Sequence, residues 1–325
     1  MDRRAFIAIV GGSILVAPLV ADTQQVSKVW RIGALLSIYP PSADPPQVFR
    51  QRLRELGYVE GQNLVIDWRY QLGRSNRLPT LAAELVRLKP YVIVADVTVA
   101  IRAAMQETAT IPIVMASSAD AVGSGLVANL GRPGGNVTGV TIMLADVSAK
   151  RLQLLKEMAP NASRVAVLWD PAIPWHRVLL KEIEAAAPAL RLQPVVIAVR
   201  SRDDFGDSLS EITKGRVDSV FVSSTMTSTA QRQLVDFAIK NRLPTMFANR
   251  DYVAAGGLMS YAPNFSEGFR HAAEYVDKIF KGAKVGDLPV EQPTTFELVI
   301  NLKTAKTIGL IIPQSVLGRA DQVIE

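Results

Sequence analysis

Short apolar runs alternate along the chain with stretches whose apolar residues recur at helical spacing. The runs Trp30 to Ser37, Asn63 to Trp68, Tyr91 to Ala95 and Ile111 to Met115 read as strands. Between them, Val48 to Leu56, Leu78 to Leu88 and Val99 to Thr108 read as helices, the first stopping at Gly57 and the second before Pro90. The stretch Thr110 to Gly125 is apolar at first and then turns abruptly to small polar residues, the signature of a buried parallel strand opening into a loop. Residues 131 to 139, rich in Gly, Pro and Asn, read as a turn-rich break.

After that break the series begins again. Lys150 to Met158, Leu179 to Leu190 and Ala230 to Lys240 read as helices, and Arg164 to Trp169, Pro194 to Ala198, Asp218 to Val222 and Pro244 to Phe247 as strands. The two sets of strands each span about 80 residues, which predicts two copies of one doubly wound unit. A further strand (Gly257 to Tyr261), a helix from Ser266 to Phe280 capped by Ser266, a strand (Thr295 to Ile300) and a short helix (Leu302 to Ile308) follow. If the chain crosses between the units here as well, a three-segment hinge joins two rigid lobes. The fold class expected is therefore α/β, with two doubly wound parallel-sheet lobes. One lobe comprises 28–142 plus 262–292, the other 143–261 plus 293–325.

Composition narrows the function. The 325 residues are 49% hydrophobic and carry a formal charge of +6, with no Lys/Arg run interleaved with aromatics, so nucleic-acid binding is not expected. Arg3 and Arg4 balance Asp2 and Asp22, so the basic excess belongs to the rest of the chain. Cysteine is absent, which excludes disulfides, thiolate metal sites, a cysteine nucleophile and a lipid anchor on cysteine. The first 25 residues have the three parts of an export signal: paired arginines, an apolar core and a small-residue exit. Arg3 to Ile7 resembles a twin-arginine signal, and an ordinary secretory signal is the alternative. Either places the mature protein outside the cytoplasm.

Several segments together are specific enough to indicate a family. They are Leu56-Gly-Tyr-Val-Glu-Gly-Gln-Asn63, Arg132-Pro-Gly-Gly-Asn-Val-Thr-Gly139, Leu152 to Glu157 with Pro160, Asn301 to Leu310 and Arg319-Ala-Asp321, with Thr23-Gln-Gln25 at the end of the export signal. The chain resembles the substrate-binding proteins of ABC transporters with the type I periplasmic-binding fold, in the branch that includes tryptophan and tyrosine importers. The resemblance implies a periplasmic receptor, expected to be monomeric, that captures a small-molecule ligand between two lobes and presents it to an ABC permease in the inner membrane. Asp96 to Ala100 departs from the short Gly/Thr/Pro turn usual in the family at that point.

In such a cleft the ligand meets the loops that follow the strands. By position these contribute Ser37, Ile38, Thr98, Val99, Ser117, Ser118, Asp120, Trp169, Asp170, Ser223, Thr225, Met226, Asn249, Arg250 and Tyr261. Ser117 and Ser118 offer hydroxyls to a ligand or cap a following helix. Asp120 suits an ammonium and Arg250 a carboxylate, unless they are surface charges. Trp169, Trp175 and Tyr261 suit a planar ligand, whereas Trp30 and Trp68 lie inside strand patterns and read as core.

An enzyme is not expected. The two histidines, His176 and His271, have no companion ligands at metal spacing, and Ser117 and Ser118 lack a Gly-x-Ser-x-Gly elbow. Gly123-Ser-Gly125 is too short a glycine pattern for a dinucleotide, so no cofactor is expected. The ligand favoured is an aromatic amino acid or aromatic carboxylate. An exported ligand sensor and an exported α/β hydrolase are the alternatives.

Overall fold

A computed structural model describes residues 28–71, 77–142, 147–171, 173, 175–199, 205–223 and 228–325. The expected export signal, together with Thr225 and Met226, lies outside these residues.

The first half of the chain runs β1 (Trp30–Leu36), α1 (Asp44–Glu55), β2 (Leu64–Tyr70), α2 (Leu78–Arg87), β3 (Val92–Ala95), α3 (Thr98–Glu107), β4 (Ile113–Ser118) and β5 (Val137–Thr141). Next come α4 (Ser148–Met158), β6 (Arg164–Trp169), α5 (His176–Ala186), β7 (Gln193–Ala198), α6 (Phe205–Lys214), β8 (Ser219–Val222), α7 (Ser228–Lys240), β9 (Thr245–Phe247), α8 (Arg250–Ala254) and β10 (Met259–Ala262). The chain ends with α9 (Phe265–Phe280), β11 (Glu297–Asn301), α10 (Leu302–Ile308), α11 (Gln314–Leu317) and β12 (Gln322–Ile324).

The strands form two sheets, ordered β2-β1-β3-β4-β5 and β12-β11-β10-β9-β8-β6-β7. The first five strands of each half thus have the same order, and all of their pairings are parallel. This is the repeated doubly wound unit expected from the sequence. The second sheet adds antiparallel β11 against β10, and β12 beside it.

Burial on both faces explains the unbroken apolar runs of the strands. In the first sheet Ile93, Ile113 and Met115 pack against Leu81 and Leu85 of α2 and Ile101 of α3. Their neighbours Val92, Val94 and Val114 pack on the opposite face with Phe49 and Leu53 of α1 and Phe269 and Ala273 of α9. In the second sheet Leu168, Val220 and Val222 face Phe205, Ile212 and Leu234, while Val165, Val167 and Phe221 face Leu152, Leu155 and Leu179.

The chain passes between the sheets after β5, after β10 and after Glu291. Helix α9, which follows β10, packs on the first sheet, and the segment behind it joins that sheet's edge, where the Glu291 amide donates to the Gly139 carbonyl at 2.9 Å.

Several details differ from the sequence reading. Residues 137–141 form a strand rather than part of a break, hidden because Thr138, Gly139 and Thr141 dilute its apolar pattern. Gly139 takes φ +125, and a Cβ there would lie 2.2 Å from the Met115 carbonyl oxygen, so only glycine lets β5 approach β4. β4 continues through Ser118, and α9 is capped by Asn264, whose side chain accepts the Ser266 amide at 2.9 Å. Helices α6, α8 and α11 and strand β12 have no counterpart in the sequence reading, although Phe205, Leu209 and Ile212 of α6 recur at helical spacing.

Candidate functional site

Between the sheets lies a cleft of about 800 Å³. One wall is the exit of β1 and the start of α1, with Ile38, Tyr39, Pro40, Asp44 and Val48. The other is Gln231 of α7 with Asn249, Arg250 and Asp251 after β9, and Asn264 and Phe265 close it at the chain crossing after β10. These are carboxyl ends of parallel strands, where open α/β sheets bind ligands.

Asp96, directly after β3, organises the first wall. Its Oδ2 accepts the amides of Ser37 at 2.7 Å and Ile38 at 2.9 Å, and its Oδ1 accepts the Val97 amide at 2.8 Å and the Ser37 hydroxyl at 3.1 Å. Burial pushes its carboxyl up to about 6, while the four hydrogen bonds pull the other way. Ser117 donates its hydroxyl to the Asp96 carbonyl at 2.8 Å. Thr98 Oγ1 accepts the Ala119 amide at 3.3 Å, and the Ser118 carbonyl accepts the Thr141 hydroxyl at 3.2 Å. The hydroxyl of Ser118 is buried without a partner. No helix opens at Ser117 or Ser118, since both lie in β4. Asp120 Oδ1 closes a turn by accepting the Gly123 amide at 2.8 Å, and Val99 is exposed.

Tyr39 stands at the cleft with its ring edge-on to Phe269 and its hydroxyl buried without a partner. Burial holds the phenol well above its ordinary value, and the charges of Asp251 and Asp96 add to that effect. The hydroxyl therefore remains a proton donor. Across the cleft the Asp251 carboxyl is raised by desolvation, and the Asp44 charge adds to this against the opposing pull of Asn249 and Arg250.

On the second wall, Asn249 caps α8 by accepting the Asp251 amide at 2.9 Å. Arg250 pairs with Glu297 at 3.3 Å and donates to Gln322. Ser223 is buried and donates its hydroxyl to the Leu168 carbonyl at 2.5 Å. Trp169 and Asp170 are half-buried at the end of β6, and the Asp170 amide lies 2.9 Å from His176 Nδ1. Tyr261 stacks on Phe296, with ring centroids 5.7 Å apart. Trp175 packs into the core, edge-on to His176.

Of the residues expected from the sequence, Ile38, Asn249 and Arg250 line the cleft. Ser37, Thr98, Ser117, Ser118 and Ser223 stand at the strand ends and direct most of their hydrogen bonds into the fold. The sequence reading missed Tyr39, Asp44 and Asp96. A signal existed for Asp96, a carboxylate placed directly after the apolar run Tyr91 to Ala95. No His/Asp/Glu group among the described residues has the arrangement of a metal site.

Residues 44–324 match the model of a family described as ABC transporter substrate binding protein. The chain belongs to that family. It is thus the ligand-binding component of a transport system and not an enzyme. It is 26% identical over 284 residues to the tyrosine-binding protein of Clostridioides difficile, covering 86% of this chain and 81% of that protein. A crystal structure of an ABC domain from Streptococcus pneumonia in complex with L-Trp superposes with TM-score 0.84 at 28% identity, covering 91% of this chain and all of the other. A conserved domain protein from Vibrio cholerae O1 biovar El Tor gives TM-score 0.85 at 26% identity, with 91% of this substrate-binding protein covered and 100% of that chain. Among the described residues no helix is long and apolar enough to cross a membrane.

Proposed function

We propose that this substrate-binding protein captures an aromatic α-amino acid between its two lobes, outside the cytoplasm, and delivers it to an ABC permease. The observation that carries the reading is the pairing across the cleft of Asp44 on one wall and Asp251 on the other, beside the apolar surfaces of Ile38, Pro40, Val48 and Phe265. Two like charges facing one another disfavour closure, and a ligand ammonium between them reverses the sign of that interaction. Tyr39 adds a hydroxyl donor, and the apolar wall suits a side chain such as indole or phenol. The tyrosine and tryptophan named for the two relatives are ligands of this kind.

In this reading the lobes are 28–142 plus 262–292 and 143–261 plus 293–325, the three chain crossings form the hinge, and the protein acts as a monomer. The first 25 residues direct export, with the twin-arginine route favoured by Arg3 and Arg4. A thermal-shift panel of aromatic, aliphatic and acidic amino acids, sugars and nucleosides tests the proposal, because a ligand of the native state raises Tm. L-tyrosine or L-tryptophan should give the largest rise, and Asp251→Asn should reduce it. A rise with sugars or nucleosides alone refutes the amino-acid reading.

A further inference from the structure

Arg151, in the first turn of α4, is completely buried. Its Nη2 donates to the carbonyl of Val222, the last residue of β8, at 2.8 Å, and its guanidinium lies 4.5 Å from the Phe221 ring centre. Nε and Nη1 have no hydrogen-bond partner, and no carboxylate among the described residues compensates the charge. An isolated charge in an apolar interior is among the costliest arrangements in a fold. Here the cation also sits at the positive end of a helix dipole, which disfavours it further.

A second unpartnered group lies within its electrostatic reach. His176 is buried at the start of α5, and its Nε2 has no partner. Its Nδ1 lies 2.9 Å from the Asp170 amide nitrogen and 3.0 Å from the Asp170 carbonyl oxygen. Burial, with the Arg151 charge contributing, holds the imidazole down to about 4, so it is neutral at physiological pH. Two guanidinium nitrogens and the imidazole Nε2 are therefore buried without hydrogen-bond partners. Both lie at the carboxyl edge of the second sheet. Val222 ends the strand next to β9, and Asn249 to Asp251 of the cleft follow β9 directly.

We propose that Arg151, with His176 beside it, forms the anion-binding pole of the cleft and receives the α-carboxylate of the captured amino acid. This rests on the amino-acid reading above and adds the counterpart to the acidic pole at Asp44 and Asp251. Arg250, the carboxylate partner expected from the sequence, is already paired with Glu297. The second hydrogen of Nη2, paired with Nε–H or with Nη1–H, gives the two-pronged donor that fits a carboxylate.

Calorimetric titration with L-tryptophan and L-tryptophanamide tests this, since the amide keeps the ammonium and the indole but removes the negative charge. Wild type should bind the acid at least about 100-fold more tightly than the amide. Arg151→Met should remove that preference while leaving affinity for the amide within about threefold, and Arg151→Lys should retain part of it. Equal loss for acid and amide, or an unchanged preference in both variants, overturns the assignment, because a structural role for Arg151 affects both ligands alike. If Arg151→Met does not fold, the comparison in Arg151→Lys and wild type decides. Should wild type ignore aromatic amino acids but bind another carboxylate, the aromatic reading falls, and the acid–amide comparison on that compound decides Arg151. Binding of uncharged ligands alone refutes both.

Discussion

The carboxylate of Asp96 accepts the Ser37 amide at 2.7 Å and the Ser37 hydroxyl at 3.1 Å, tying the exit of β3 to the exit of β1. All four bonds to this side chain come from donors, so both oxygens act as acceptors. Asp96→Asn turns one acceptor into an NH₂ group that faces N–H or O–H donors. It should cost about 2–4 kcal/mol of stability, measured by urea denaturation at pH 7. It should also weaken ligand binding, because the Ile38–Tyr39 wall loses its anchor. A loss below about 0.5 kcal/mol would contradict this role for the network.

His176 sets one term of the pH dependence. Its folded value is held down to about 4, below the ordinary 6.5, so between these values the unfolded chain binds more protons. The stability it contributes is complete above about 6.5 and is lost as pH falls toward 4, by about 3 kcal/mol in total. Asp96 acts in the opposite sense: its folded carboxyl lies at about 6, above the ordinary 3.8, so its contribution declines as pH rises through 6. Comparing urea midpoints of wild type and His176→Asn from pH 7 to 4 isolates the first term. The variant should gain on wild type as pH falls, and parallel curves would contradict a neutral buried imidazole.

Gly139 is the point of closest approach between β4 and β5. Its φ of +125 and the 2.2 Å separation between a Cβ and the Met115 oxygen leave no room for alanine. Gly139→Ala should destabilise the protein by about 3 kcal/mol or more, or prevent its accumulation as folded protein. Circular dichroism and urea titration distinguish this from the change of under about 0.5 kcal/mol expected at an ordinary surface position.

The sheets were legible because their strands are buried on both faces and read as unbroken apolar runs, as in Tyr91 to Ala95. β5 was not, since Gly139 serves a close approach and Thr138 and Thr141 bond inward, so its burial leaves no apolar pattern. For the site, strand ends could be located by position alone. Whether a polar side chain there turns toward a ligand or into the fold depends on neighbours distant in sequence. Ser117 and Ser223 turn inward to the carbonyls of Asp96 and Leu168. Arg151 left a trace, a charge in line with the buried Leu155 and Met158 on α4, but the absence of a counter-charge becomes visible only when the sheets are assembled.

In the proposed function the two lobes close on an aromatic α-amino acid. Titrating mature protein with L-tyrosine and L-tryptophan while following its radius of gyration by small-angle X-ray scattering tests binding and closure in one experiment. Saturable one-to-one binding accompanied by contraction is expected, with sugars causing neither. Contraction with sugars or nucleosides but not with amino acids, or saturation without contraction, would contradict it.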